Sequence, residues 1–198
     1  SKDDLPFHVL DNPVHRDHVF GAPFIPVRDR LEGIAQAPAS VALFLEYIPQ
    51  NLDEWLTAQV ARGGDAIDSA CALLEQCLER DVAVMNAHGL LHFDAHFRNI
   101  LTDGTRLYFA DLGLATSTRF DLSDAEAAFV ERNASHDRCY VIREWVNWLV
   151  TAVAGAVDRD GFLRRCVDGT ADLADVPPPA AAIITRYAEV AIVMNELY

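Results

Sequence analysis

A short hairpin signal near the middle of the 198-residue chain is the feature that most constrains its fold. Two apolar runs, residues 100–102 and 107–110, flank the dipeptide Asp103-Gly104, which is a strong local signal for a β-hairpin turn. A hairpin returns the chain on itself, so the residues just outside its two strands become neighbours. Asn99 and Asp111 are therefore predicted to lie side by side.

The residues around this hairpin carry side chains suited to phosphate chemistry. The sequence reads H-F-D-A-H-F-R-N from residue 92 to residue 99, and D-L-G follows the hairpin. Asp94, Asn99 and Asp111 thus provide three oxygen-bearing side chains at two adjacent loop ends. Mg²⁺ prefers hard oxygen ligands and fills its other positions with water and phosphate. The pattern indicates a site for a metal-bound phosphate.

These motifs resemble those of the protein-kinase-like phosphotransferase superfamily, which includes protein kinases and antibiotic phosphotransferases. His92-x-Asp94-x-x-x-x-Asn99 matches the catalytic-loop pattern, and Asp111-Leu112-Gly113 is similar to the D-F-G motif. The resemblance implies an α+β, protein-kinase-like fold with a mostly helical C-terminal lobe around a short catalytic hairpin. It covers residues 24–154, the hinge and the larger lobe.

The resemblance also implies roles for individual side chains. Asp94 is expected to orient the acceptor hydroxyl and take its proton, while Asn99 and Asp111 hold magnesium ions that bridge the phosphates of ATP. His92 is implied to be structural, bonding the backbone near Asp111 rather than the substrate. Gly113 is a second structural residue, at the end of the D-L-G motif.

Two further residues have two interpretations each. His96 occupies a position where antibiotic phosphotransferases often carry histidine, so it is a candidate to stabilise the transferring phosphoryl group. The alternative is a histidine hydrogen-bonded inside the loop. Asp137 is similar to the aspartate that opens the family's central helix and steadies the catalytic loop through backbone amides. Its alternative role is a simple helix N-cap.

The first part of the chain is predicted to be the remnant of an N-lobe. Residues 24–31 and 41–47 are predicted as strands, and residues 1–47 as two strands plus a loop. Residues 48–56, with Pro49 at the strand exit, resemble the kinase hinge and the helix after it. Main-chain groups of Glu46, Tyr47 and Ile48 are thereby implied to contact the adenine of ATP.

Helical periodicity dominates the remainder, residues 57–198, which are predicted to form the helical C-lobe. Apolar residues recur every three or four positions over 67–88, and Gly89 is a plausible stop. Ser123-x-x-Glu126 has the spacing of a capping box and predicts a helix start. Amphipathic helices are also predicted over 136–154 and 180–197, separated by an Asp/Gly-rich connection.

Composition and net charge limit the binding partners and the cellular compartment that can be expected. The net charge of −14 argues against binding to nucleic acid or to an anionic membrane, although a nucleotide whose charge is met by Mg²⁺ is compatible. The four cysteines form no C-x-x-C pair and are expected to be buried thiols. No segment resembles a signal peptide or a membrane span, so the predicted location is cytoplasmic.

Several questions stay open at this level. The glycine-rich loop and the strand lysine of the family have no counterpart in the sequence, which is compatible with a fragment lacking N-lobe residues, a natural short form or a degenerate member. The acceptor is either a protein Ser/Thr hydroxyl or a small molecule. A pseudokinase-like regulatory domain is an alternative. A metallohydrolase that uses His88, His92, Asp94 and His96 is another.

Overall fold

The fold is taken from a computed structural model, which describes residues 27–197. The chain divides into two compact units, residues 1–46 and 47–198. The first unit contains α1 (Val27–Ala35), and the other elements described within residues 27–197 belong to the second. In chain order these are β1 (Gln50–Asn51), α2 (Leu52–Arg62), α3 (Asp65–Ala87), β2 (Leu90–Leu91), β3 (Ile100–Thr102), β4 (Leu107–Phe109), β5 (Thr116–Ser117), α4 (Asp124–Arg132), α5 (His136–Ala152), α6 (Arg159–Val167) and α7 (Pro178–Asn195).

The strand predicted over residues 24–31 is wrong where the structure describes it. Residues 27–31 belong to the helix α1, and residues 24–26 lie outside the described part. The apolar residues Val27, Leu31 and Ile34 recur at helical spacing, a period that the strand assignment overlooked.

The second predicted strand, residues 41–47, is also wrong, because this segment has no regular secondary structure. None of the strands described between residues 27 and 197 pairs with it, and a strand needs a neighbour to satisfy its backbone groups. Its apolar side chains are instead open to solvent, with Phe44 97% exposed. Over residues 27–47, one helix and an irregular segment therefore stand where the two strands were predicted.

The second unit combines helices with two small antiparallel sheets, which confirms the α+β class. One sheet has the order β1-β3-β4, and the other pairs β2 with β5. Ile100 lies opposite Phe109 in the predicted hairpin, and Asn51 opposite Leu101. In the turn, Oδ1 of Asp103 accepts hydrogen bonds from the amides of two following residues, as turn aspartates do.

Helices α3, α5, α6 and α7 enclose the apolar core of this unit. Trp145 of α5 is 1% exposed and is the largest of the fully buried side chains. Phe97 and Ile100, from the loop and the hairpin next to the predicted site, belong to the same core cluster. The loop is thus anchored to the apolar core of this unit.

Most of the helices of the second unit agree with the sequence, but α6 was not predicted. The capping box at α4 is complete, because Ser123 and Glu126 bond each other's backbone amides. The connection predicted after α5 contains the nine-residue helix α6, whose start is capped by Asp158. Phe162 and Leu163 of α6 are buried in the core.

Gly89 lies in the turn between α3 and β2, just before the loop of the predicted site. It adopts φ 78°, a conformation that costs an ordinary L residue about 1–2 kcal/mol. A Cβ added there would also collide with Oγ1 of Thr118.

We therefore predict that Gly89→Ala lowers the free energy of unfolding by about 2 kcal/mol, as measured by urea denaturation. Gly155→Ala is the matched control, because Gly155 also has positive φ but has open space where a Cβ would go. Its cost should be about half as large. Equal costs for the two variants would contradict a role for the contact with Thr118.

The four cysteines are free thiols, three of them buried and Cys139 half-buried. Burial, with the nearby carboxylates of Asp68 and Glu75, raises the pKa of Cys71 to about 11. That thiol is therefore protonated at neutral pH.

Between residues 27 and 197, no helix combines the length and the apolar character needed to cross a bilayer.

Candidate active site

The loop between β2 and β3 is a compact series of turns. The amide of His96 donates to the carbonyl of Asp94 at 2.9 Å, and the amide of Asn99 donates to the carbonyl of His96 at 2.8 Å. Phe93 adopts φ 61°, a strained conformation for a bulky residue that persists only where surrounding contacts enforce it.

Asp137 holds the start of this loop from the first turn of α5. Its buried carboxylate accepts hydrogen bonds from the backbone amides of His92, at 2.7 Å, and Phe93, at 2.8 Å. Burial alone would raise the pKa of Asp137, but hydrogen bonds from His136 and from these amides outweigh it and hold the pKa below its ordinary value. Of its two interpretations, the contact with loop amides is the one present, since Ser135 occupies the N-cap position of α5.

His92 is fully buried and links the loop to the end of the hairpin. Its Nε2 lies 2.9 Å from the carbonyl oxygen of Ala110, and its Nδ1 accepts a hydrogen bond from the amide of Asp94 at 3.3 Å. Together these bonds define the tautomer that carries the proton on Nε2. His92 therefore contacts the backbone next to Asp111, the contact implied for it.

Asn99 brings the loop and the hairpin together. Its side-chain nitrogen donates to both the carbonyl and the carboxylate of Asp94, at 3.0 and 3.1 Å. The backbone carbonyl of Asn99 accepts a hydrogen bond from the backbone amide of Ala110 at 2.8 Å. Asp94, Asn99 and the residue before Asp111 are thus joined directly. Because the amide nitrogen of Asn99 is engaged, its amide oxygen is the end that remains for a cation.

Asp111 stands at the far end of β4 in a left-handed conformation, φ 54°. Its Oδ1 accepts a hydrogen bond from the amide of Gly113 at 3.3 Å. Asp111 is exposed, and Asp94 and Asn99 are partly exposed. All three polar groups can therefore reach a ligand from solvent.

His96 combines features of both interpretations. Its Nδ1 accepts a hydrogen bond from the amide of Arg98 at 3.2 Å, so the ring is held within the loop. Its Nε2 lies 3.8 Å from Oδ1 of Asp94, and its side chain is one-third exposed. The free nitrogen therefore faces the predicted reaction centre while the other nitrogen fixes the ring.

A cavity of about 530 Å³ opens beside His96, between the loop and α2, α5 and α6. Its wall includes Glu144, for which burial raises the pKa although Arg143, His96 and Arg159 act in the opposite direction. Asp53, whose Oδ1 accepts from the indole of Trp148 at 3.2 Å, lies on another wall. No local sequence signal predicts this wall, because α2 and α5 are far apart in the chain.

The residues implied to contact adenine lie before β1. Glu46 and Tyr47 are exposed and Ile48 is half-buried, in a segment without regular secondary structure. Tyr47 is 84% exposed. Their predicted main-chain contacts with a nucleotide stay a prediction.

The donor atoms at the hairpin suit Mg²⁺. Asn99 and Asp111 supply hard oxygens in small number, which leaves positions for water and phosphate. Within residues 27–197, no group of three or more His, Cys, Asp or Glu side chains is arranged to hold a metal ion.

One of the histidine ligands proposed for a metallohydrolase, His92, is fully hydrogen-bonded within the protein. Both ring nitrogens of His92 bond the backbone, which leaves none for a metal. His88 and His96 each use Nδ1 in a backbone contact, at 2.8 Å to the carbonyl of Val84 and 3.2 Å from the amide of Arg98, so His92 is the ligand of the proposed set that is excluded. The geometry therefore argues against this alternative.

Comparisons of the chain with protein-family models, curated proteins and solved structures each find no match.

Proposed function

We propose that this chain is a protein-kinase-like phosphotransferase that transfers the γ-phosphoryl group of ATP to a hydroxyl acceptor in a Mg²⁺-dependent reaction. Its second unit would correspond to the hinge region and the helical C-lobe of that fold. The proposal rests mainly on one observation. Asn99 is hydrogen-bonded both to Asp94 and to the backbone beside Asp111, at an accessible end of the hairpin.

The contacts around this centre support the proposal because each has a use in phosphoryl transfer. Positioning and charge neutralisation supply most of the catalysis in such reactions. Asp137 and His92 fix the loop from two sides, so Asp94 is presented on a rigid support. Asp94 would orient the acceptor hydroxyl and accept its proton.

The oxygens of Asn99 and Asp111 would hold Mg²⁺, which neutralises phosphate charge when bound. This arrangement suits a protein of net charge −14, which would otherwise repel ATP. His96, with Nε2 near Asp94, would donate a hydrogen bond to the transferring group. The cavity bounded by Glu144 and Asp53 offers space for the acceptor, either a small molecule or a Ser/Thr-bearing segment of a protein.

A second candidate is a pseudokinase-like regulatory domain that binds a nucleotide or a partner without transfer. One sequence feature favours it: Lys2 is the only lysine in the chain, and no glycine-rich loop accompanies it. This sequence would then lack a lysine on a strand that binds the phosphates of ATP. Transfer of the phosphoryl group would be slow or would not occur.

Nucleotide binding that depends on Mg²⁺ is the first test. ATP with Mg²⁺, at about one hundred times its Kd, is expected to add about 2.7 kcal/mol to the free energy of unfolding. This corresponds to a rise in Tm of roughly 5–10 °C by thermal shift. Asp111→Asn should remove most of this rise, because it removes a charged ligand of the cation while keeping a residue that tolerates positive φ.

Asp175→Asn is the matched control, because Asp175 is an exposed carboxylate distant in sequence from the site. It should keep the full Mg²⁺-dependent shift. If ATP and Mg²⁺ in large excess over the protein do not shift the Tm of the wild type, the proposed enzyme and its nucleotide-binding alternative are both wrong.

A further inference from the structure

A second cavity, of about 500 Å³, lies away from the residues proposed for catalysis. It is bounded by the end of α3, by β2, by residues 118–122 and by α4. Asp94, Asn99 and Asp111 do not line it. Its volume falls within the range of small-molecule sites, roughly 300–1,000 Å³.

The floor and one edge of this cavity are apolar. Leu91 and Val130 form buried parts of its surface, and Leu122 is half-buried. Phe120 contributes an aromatic ring that is 60% exposed. An accessible aromatic side chain at the border of an apolar cavity can cover a ligand and gain buried area by doing so.

Both charged residues in the lining are acidic. Asp121 and Glu131 are exposed, and no lysine, arginine or histidine belongs to the described lining. The protein as a whole carries a net charge of −14, so its long-range field has the same sign. This surface would attract a cation and repel a carboxylate or phosphate.

One polar residue of the lining, Asn86, contacts the side chain that supports the loop beginning at His92. In the orientation that satisfies both ends of its amide, Asn86 donates to Oδ2 of Asp137 at 3.0 Å and to the carbonyl of Leu90 at 3.0 Å. The same Oδ2 accepts from the amide of His92. A molecule seated against Asn86 would therefore restrict the side chain that supports the loop.

We infer that this cavity is a binding site for a small amphiphilic cation, with an apolar body on Leu91 and Val130 and an ammonium group beside Asp121 and Glu131. Occupancy steadies the contact from Asn86 to Asp137 and hence the loop that begins at His92. The inference goes beyond the proposed phosphoryl transfer and does not depend on it. Neither nucleotide nor metal takes part in this binding.

The test uses two fluorescent probes that share a dansyl group and differ at the end of their alkyl chain. Dansylcadaverine ends in an ammonium group, and 6-(dansylamino)hexanoate ends in a carboxylate. Titration of the full chain should show dansylcadaverine binding about tenfold more tightly, with a blue-shifted emission from the apolar floor. Equal affinity, or tighter binding of the carboxylate, would overturn the assignment of a cationic ligand.

Variants on α4 locate the binding. Ala127 lines the cavity and is exposed, so Ala127→Trp should fill the space and weaken dansylcadaverine binding at least about tenfold. Ala125→Trp is the matched control, because Ala125 is an exposed residue of the same helix outside the lining. It should bind as the wild type does. Unchanged affinity in Ala127→Trp would show that the probe binds elsewhere.

A charge variant keeps the test decisive if the tryptophan variant does not fold. The double change Asp121→Asn and Glu131→Gln should reduce the preference for the ammonium probe to about twofold or less. A preference that stays at the wild-type value would exclude these carboxylates as the cation site.

Amide hydrogen exchange tests the link to the loop. Saturation with dansylcadaverine should slow exchange at the amides of His92 and Phe93 at least about threefold. Unchanged exchange at both positions, with the probe demonstrably bound, would overturn the link through Asn86. None of these results depends on ATP, so they separate this inference from the proposed function.

Discussion

Replacing Asp137 with alanine is expected to lower the free energy of unfolding by about 3 kcal/mol or more. The substitution removes the acceptor for the backbone amides of His92 and Phe93 at a position with no solvent exposure. A buried donor left without a partner costs about 1–3 kcal/mol, and this change removes the acceptor of both backbone amides and of the side-chain nitrogen of Asn86. Because domains are stable by only about 5–15 kcal/mol, the loss is a large fraction of the total.

Urea denaturation measures this loss, and Asp124→Ala is the control. Asp124 also lies in the first turn of a helix but is exposed, so its variant loses only a favourable interaction with the helix dipole, about 0.3–1 kcal/mol. Faster hydrogen exchange at His92 and Phe93 in the Asp137 variant would trace the loss to the loop. Equal destabilisation by the two variants would mean that the loop contacts contribute little.

The same carboxylate should make stability dependent on pH under acidic conditions. Its pKa in the folded protein is held below the ordinary value of about 3.9 for an aspartate in an unfolded chain. Its contribution is therefore fully present above about pH 4 and is lost as the pH falls through the folded pKa. Asp137→Asn should flatten this part of the stability profile, and a profile unchanged from the wild type would contradict the assignment.

The hairpin and most of the helices could be predicted because their signals are local. Asp103-Gly104 sets the turn, Gly89 ends a periodic apolar stretch, and Ser123 with Glu126 starts a helix. The backbone pairing of Asn99 with Ala110, the residue before Asp111, follows from the hairpin alone. The central part of the candidate site was therefore accessible from sequence.

The incorrect secondary-structure predictions concern a segment that has no neighbouring strand to pair with and two helices that are short. Residues 41–47 have the composition of a strand, but composition cannot supply a neighbouring strand. The nine residues of α1 and of α6 each show few helical repeats, and α6 is interrupted by Gly161. Short periodic runs are easily mistaken for strands or connections.

The surroundings of the site could not be predicted because they depend on tertiary contacts. Glu144 lies on α5, 50 residues after Asp94 in the chain, yet it belongs to the cavity beside His96. No sequence motif marks it, since its position depends on how α5 packs against the loop. Asp137 was recognised through resemblance, but only its contacts distinguish loop support from helix capping.

The largest effect on activity is expected from Asp94→Asn. The proposed proton acceptor would be lost, and general-base catalysis typically contributes about 10²–10⁴-fold to the rate. The fold should be preserved, because the hydrogen bond from Asn99 to the carbonyl of residue 94 does not involve the substituted side chain. Mg²⁺-ATP binding, measured by calorimetry, should change less than about twofold, since Asn99 and Asp111 are proposed to hold the metal.

Turnover is measured as ADP release with a panel of hydroxyl acceptors. Asp81→Asn serves as the control, because Asp81 on α3 has a comparable exposure, 25% against 32% for Asp94. Its variant should retain wild-type turnover. An Asp94 variant that loses ATP binding together with turnover would assign this residue to nucleotide binding instead. Full turnover in that variant would exclude Asp94 as the base and, with it, the proposed arrangement of the reaction centre.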